Sequence, residues 1–287
     1  MEKNSPTTVT TLQFTTPHYK FNCVVREEYY PLHKLHLLVG DEKEPCVDCV
    51  IVLENNSGND RQDRFAYTAN LNKIDALLEC SLDDITDDYM AAHSFGTELL
   101  DAIVFFINAY TPQIRSVSLD DTSYMPCIRE AKDTLDLLTY SVALYGKTWY
   151  EKKLNAYITP LSKYEEYRKQ VDAYMSEETK LHTDYSDIYG FVSTASTFTI
   201  DIFNKNEKDF KKLFNESKTL PEFFRAISTK VNRTEKCRFF KYWLERIIQQ
   251  YVKIERTWVF DLFPKIQMID HYTVSKKHNN TRKKKKM

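Results

Sequence analysis

Short apolar segments open the chain, each closed off by charged or turn-forming residues. Tyr19 to Val25, Leu35 to Val39 and Cys49 to Leu53 have the length and boundaries of strands. Cys49-Val50-Ile51-Val52-Leu53 runs without a polar break, as in a strand covered on both faces. Asn55 to Arg64 (NNSGNDRQDR) reads as a loop, and Phe65 to Ser81 predicts two strands around a turn near Asn72-Lys73. The period then changes. Between Gly96 and Tyr110, Leu99, Leu100, Ile103, Val104 and Ile107 recur at helical spacing, and Pro112 ends the helix. Ile114 to Asp120 places Val117 and Leu119 on one strand face. Leu135 to Tyr157 predicts a second apolar helix with a break at Gly146.

Beyond Pro160 the strand pattern stops. Tyr164 to Thr179 and Tyr185 to Phe203 read as helices, and Pro221 to Lys230 as a short helix with Pro in its first turn. Glu235 to Arg256 predicts one long helix. Its stripe of Phe239, Phe240, Trp243, Leu244, Ile247, Ile248, Tyr251 and Ile254 is broad enough to pack into a core. The fold class expected is α/β, with a mixed sheet followed by an α-helical region. The expected organisation is a flexible arm over 1–17, an α/β domain over 18–158, a helical region over 159–272 and a disordered basic tail over 273–287.

Composition narrows this picture. Aromatic residues at 14% argue against disorder, which needs a chain poor in them. Only five glycines are present, which counts against a glycine-rich phosphate loop. No run of about 18 apolar residues appears, so no transmembrane helix is expected. The Thr-rich start lacks the apolar core of a secretory signal. The six cysteines then read as reduced, buried thiols in a cytoplasmic setting. Charge is uneven. Lys276, Lys277, Arg282 and Lys283 to Lys286 carry seven positive charges, and removing them from a net charge of -1 leaves -8 on residues 1–275. Arg282, Lys283, Lys284, Lys285 and Lys286 form a candidate polyanion-binding tail for nucleic acid or an anionic surface, without base readout, and equally a nuclear address.

Three motifs invite chemistry. Gly146-Lys147-Thr148 matches the end of a P-loop, but Ser141 stands where the motif needs its first glycine and no strand precedes it. Cys46-x-x-Cys49 has the spacing of half a zinc site or a redox pair, yet no second pair follows, and Cys49 opens an apolar strand. Asp83-Asp84-x-x-Asp87-Asp88 and Asp120-Asp121 lack the glycine of a calcium loop and read as solvated charges. No metal site is expected. Gly-x-Ser-x-Gly, His-Glu-x-x-His and the protein-kinase motifs are absent, so hydrolases and kinases of those classes have no support.

The stretch Ala91-Ala92-His93-Ser94-Phe95-Gly96-Thr97-Glu98-Leu99-Leu100 resembles the phosphate-binding turn and helix start of the GNAT (GCN5-related) acetyltransferase fold. A strand (Ile114 to Asp120) and a helix ending near Trp149-Tyr150-Glu151-Lys152 follow in the order that family shows. The resemblance implies that Ser94, Phe95, Gly96 and Thr97 would face the pyrophosphate of acetyl-CoA with their amides. It implies that Tyr150 would protonate the leaving thiolate, with Asp120 or Glu151 as the base. Against the family pattern, Ala91 replaces Gln or Arg and Ser94 replaces the first glycine, leaving only Gly96.

A second resemblance rests on Tyr145-Gly146-Lys147-Thr148-Trp149-Tyr150-Glu151, Asn155-Ala156-Tyr157 and Tyr167-Arg168, which are similar to uncharacterised proteins of large nucleocytoplasmic DNA viruses. It implies a host-cytoplasmic or virion setting. Together these readings lead to a non-catalytic binding or structural protein, with an unidentified protein partner, on a degenerate acetyltransferase-like scaffold. An acyl-CoA-dependent N-acyltransferase is the alternative, and a polyanion-associated accessory factor acting through the tail is a third reading.

Overall fold

The structure is a computed structural model that describes residues 7–15, 19–29, 33–40, 43, 45–55, 65–74, 95–112, 114–121, 124–126, 134–262 and 273–276. It is a mixed α/β chain divided into two compact units. One comprises residues 1–120 and 260–287, the other 121–259. The division falls at Asp121 rather than near 158, and the chain returns to the first unit at Phe260. Hydrophobic periodicity marks elements, and does not reveal which of them a later strand rejoins.

The first unit is built on strands β1 (Thr7–Thr15), β2 (Lys20–Glu28), β3 (His33–Gly40), β4 (Pro45–Asn55), β5 (Phe65–Ile74) and β6 (Ser116–Asp120), with helix α1 (Phe95–Tyr110) between the last two. Two late strands, β9 (Thr257–Asp261) and β10 (Thr273–Lys276), complete an eight-stranded sheet in the order β10-β1-β2-β3-β4-β5-β6-β9. Pairing is antiparallel from β10 to β5 and parallel between β5 and β6. Parallel strands need a crossover, and α1 supplies it.

The register brings one set of side chains onto one face. Leu12 lies opposite Cys23, Val25 opposite Leu37, Leu37 opposite Cys49, Ile51 opposite Ala69 and Leu71 opposite Leu119. All of these are buried. Helix α1 buries Leu99, Leu100, Ile103, Phe106 and Ile107, and Phe14 meets the rings of Phe105 and Phe106 edge-on at 5.9 and 6.1 Å. The segment expected as a flexible arm is therefore a sheet strand over Thr7–Thr15. Its Thr and Val residues favour extended backbone, and the two inward positions Leu12 and Phe14 anchor it. Thr273–Lys276, expected to be tail, pairs with β1. Phe65–Ile74 is one strand rather than two. The turn expected near Asn72 is a bulge, because Cys49 pairs with Leu71 while Asp48 pairs with Lys73.

The second unit begins with the hairpin β7 (Tyr124–Pro126) and β8 (Thr134–Asp136), followed by α2 (Leu137–Tyr145) and α3 (Trp149–Leu154). Helices α4 (Leu161–Tyr174), α5 (Glu177–Leu181), α6 (Tyr185–Val192), α7 (Thr197–Lys205), α8 (Glu207–Glu216), α9 (Leu220–Lys230), α10 (Arg233–Phe240) and α11 (Trp243–Ile248) follow. Its core is aromatic: Phe203, Phe210, Phe223, Phe224, Phe239 and Trp243 are all fully buried. The long helix expected over Glu235 to Arg256 is broken at Tyr242. Its stripe still packs inward, with Phe239, Phe240, Trp243, Leu244, Ile247 and Ile248 buried.

The thiols divide. Cys23 and Cys49 are free and fully buried, and burial pushes both thiols up, Cys49 to about 12. Such thiols are inert. Cys46 and Cys237 are each disulfide-bonded, so the expectation of reduced cysteines fails at those two positions. Cys46 and Cys49 do not form a redox pair, since one is bonded elsewhere and the other is free. Whether thiols lie within bonding distance is a tertiary property that spacing does not report.

Candidate functional site

In the first unit the candidate site is the strand–helix–strand passage from β5 through α1 to β6. The parallel ladder covers Ala69 with Val117, Asn70 with Ser118 and Leu71 with Leu119, and the Ser118 hydroxyl donates to the Asn70 side-chain oxygen. Beyond Leu71, β5 continues through the bulge to Ile74 with no further β6 pairing among the described residues. Gly96 and Thr97 occupy the first turn of α1, which Phe95 begins. Ser94 lies outside the described residues, as do Ala91 to His93.

The first turn of a helix offers amide donors and the positive end of the dipole. Here an acid already uses that field. Glu98 stands in the first turn and is only 9% exposed. A carboxylate so placed is favoured by the dipole and repels a second anion approaching the same turn. Sequence reasoning read these residues as a phosphate cradle and overlooked what Glu98 does to it.

In the second unit the candidate site is the α2–α3 corner. Gly146 caps α2 with φ 64°, and Arg168 Nη1 donates to its carbonyl at 2.7 Å. Thr148 caps α3 in a reciprocal box. Its hydroxyl accepts from the Glu151 amide at 3.0 Å, and its own amide donates to Glu151 Oε2 at 2.7 Å. Gly146-Lys147-Thr148, which resembles the end of a P-loop, thus closes one helix and opens the next.

Glu151 is the electrostatic centre of the corner. Its side chain is 3% exposed, and Oε1 faces Arg168 Nη1 at 3.2 Å. The Tyr164 hydroxyl donates to the same oxygen at 3.2 Å. Burial, and then the Glu151 charge, push the Tyr164 hydroxyl up to about 12. Three donors, one of them the Arg168 cation, thus converge on this carboxylate and tie α3 to α4.

Tyr150, expected as the general acid, is 5% exposed and packs edge-on against Trp149 with ring centres 5.1 Å apart. Burial first and the Asp121 carboxylate second push its hydroxyl above the ordinary tyrosine value. Asp120, the other base considered, is exposed at the end of β6. Tyr164 and Arg168 are the partners that sequence reasoning left unconnected to Glu151. A separation of 13 or 17 residues across a helix break carries no local signal.

Among the described residues no group of three or more His, Cys, Asp or Glu side chains converges as metal ligands, and no helix is long and apolar enough to cross a membrane. The acidic cluster Asp83 to Asp88 and the polyanion candidates Arg282, Lys283, Lys284, Lys285 and Lys286 lie outside the described residues. No protein-family model, no curated protein and no solved structure matches the chain.

Proposed function

We propose that the chain is a non-catalytic binding or structural protein built on a degenerate acetyltransferase-like scaffold. The observation that carries this reading is Tyr150. A general acid must reach the leaving group, and this hydroxyl is packed inside the second unit beside Asp121. Glu151 is committed to Arg168, Thr148 and Tyr164, and Glu98 holds the helix turn that a pyrophosphate would need. The resemblance to viral proteins favours a virion or host-cytoplasmic role, with a protein partner. The basic tail adds a weak, sequence-independent contact with polyanions.

The alternative, an acyl-CoA-dependent N-acyltransferase, draws support from the parallel β5–β6 ladder that ends at Leu71 while β5 runs on to Ile74. Calorimetric titration with acetyl-CoA and CoA separates the two. The scaffold reading expects no heat and no thermal shift at millimolar ligand. Micromolar binding that disappears in Gly96→Trp would replace it with the acyltransferase reading.

A further inference from the structure

Helices α6 and α11 pack together and leave a groove of about 630 Å³ on the second unit. That volume lies within the range of small-molecule pockets, roughly 300 to 1,000 Å³. Its floor is apolar where Ile188 and Ile247 are buried, and Phe191 stands beside them. The polar groups of the floor satisfy one another. Thr183 donates its hydroxyl to the Thr179 carbonyl at 2.7 Å and accepts from the Tyr251 hydroxyl at 3.1 Å.

Two side chains of opposite charge line the groove, Asp187 and Arg246. Neither forms an ion pair among the described residues, with the other or with any further group. Asp187 Oδ2 accepts the Asp184 amide at 2.9 Å, which leaves Oδ1 without a partner among the described residues. Arg246 donates from Nη1 to the Thr194 hydroxyl at 2.8 Å, and its remaining donors have none. The two charges stand at opposite ends. Asp187 and Thr194, where Arg246 is held, are separated along α6 and the turn that prolongs it by roughly 10 Å at 1.5 Å per residue. Gly190 lies between them on the same face, three residues after one and four before the other.

Nothing in the fold requires a glycine there. Gly190 stands in the body of α6, where glycine costs stability relative to alanine, and a Cβ on it would meet no atom within 4 Å. The missing side chain keeps the middle of the groove open.

We propose that this groove binds a short zwitterion, a dipeptide with an apolar side chain, its carboxylate on the Arg246 guanidinium and its ammonium on Asp187 Oδ1. A guanidinium takes a carboxylate in a forked pair, and both contacts are charge-assisted. Allowing about 3 Å for a hydrogen bond at each end leaves roughly 5 Å between the ligand's charged ends, inside the reach of about 7 Å that two residues have. A single amino acid, with both charges on one carbon, is too short. The apolar side chain lies over Gly190, against Phe191 and Ile247.

The test is calorimetric titration of the full chain at low ionic strength with alanyl-leucine, beside its N-acetylated form, its C-terminal amide and free leucine. Alanyl-leucine binds. The other three lack one charge or the span, and bind at least about tenfold more weakly. Arg246→Gln and Asp187→Asn each weaken the dipeptide about tenfold. Asparagine still offers an oxygen to the Asp184 amide, so the cap is kept. Gly190→Leu abolishes binding with the melting temperature unchanged or raised, which separates a filled groove from an unfolded chain. Arg246 is exposed, so the loss in Arg246→Gln stands whatever Gly190→Leu does to the fold. No heat and no thermal shift with millimolar alanyl-leucine, equal binding of any of the three controls, or full affinity in Arg246→Gln or Gly190→Leu would each overturn the proposal.

Discussion

Replacing Glu151 tests whether the α2–α3 corner is a structural device or a reserve of catalytic chemistry. In Glu151→Ala the Arg168 guanidinium, 22% exposed, loses a partner that is 3% exposed. Removing one member of a buried pair costs about 3–5 kcal/mol. Arg168 keeps the Gly146 carbonyl at 2.7 Å and Asp172 at 2.8 Å, which places the effect at the lower end. Loss of the reciprocal cap adds about 1 kcal/mol, so the expected total is about 3–4 kcal/mol. Glu151→Gln removes the charge and leaves one carbonyl oxygen: serving the Thr148 amide with it turns the amide nitrogen, a donor, toward Arg168 Nη1 and the Tyr164 hydroxyl. It should cost about 2–3 kcal/mol, since the charge-assisted bond to Arg168 is lost and a donor is left without its acceptor. Urea denaturation of both variants, and of Arg168→Met alone and combined with Glu151→Gln, measures the coupling. A coupling of about 2 kcal/mol is expected. If Glu151→Gln loses less than about 0.5 kcal/mol, the carboxylate is not held as its bonds imply, and its candidacy as a general base reopens.

Gly146→Ala should destabilise by about 1–2 kcal/mol, because φ is 64° and an added Cβ would stand 2.7 Å from Met175 Sδ. In a Met175→Ala background only the left-handed torsion remains, so thermal melts should show the cost falling to about 1 kcal/mol. A cost unchanged by removing Met175 would discount the clash. Alkaline titration should divide the tyrosines. Burial leads the causes that raise Tyr150, Tyr164, Tyr167, Tyr174 and Tyr185. Unfolded tyrosines ionise near pH 10. The unfolded chain therefore releases protons that the folded one keeps, so stability is full below about pH 10 and falls as pH rises through the folded values. Ultraviolet absorbance should show these rings ionising together with loss of near-UV circular dichroism, and full reversible ionisation near pH 10 would contradict their burial. Deleting residues 277–287 spares β10, which ends at Lys276, and removes six of the seven tail charges. Low-salt retention on single-stranded DNA should be lost, and unchanged retention would end the polyanion reading of the tail.

Local encoding explains which elements were legible. Helix α1 and strand β6 followed from the spacing of Leu99, Leu100, Ile103 and Ile107 and of Val117 and Leu119, because each pattern repeats within a few residues. Helix α9 appeared with its proline in the first turn for the same reason. The break at Tyr242 was hidden. Its stripe Phe239, Phe240, Trp243 and Leu244 continues at helical spacing straight through that break, so the apolar pattern fits a helix that the backbone does not form. At the candidate site the sequence drew attention to Tyr150 and Glu151 and assigned them chemistry. Their burial is set by chain segments many residues away and leaves no local trace.

The sequence by itself determined a mixed α/β chain, the positions of strands β2 to β6 and of helices α1, α4 and α9, the aromatic core stripe and an acidic body with a basic end. These rest on interactions between near neighbours and on composition. Tertiary structure alone decided that Thr7–Thr15 and Thr273–Lys276 are sheet strands, that β9 returns to the sheet, that the units divide at Asp121, and that Glu151 pairs with Arg168. Each of these joins residues distant in sequence. Strand partnership and burial of a charge depend on the surface that the rest of the chain presents, and a local pattern holds no record of that surface.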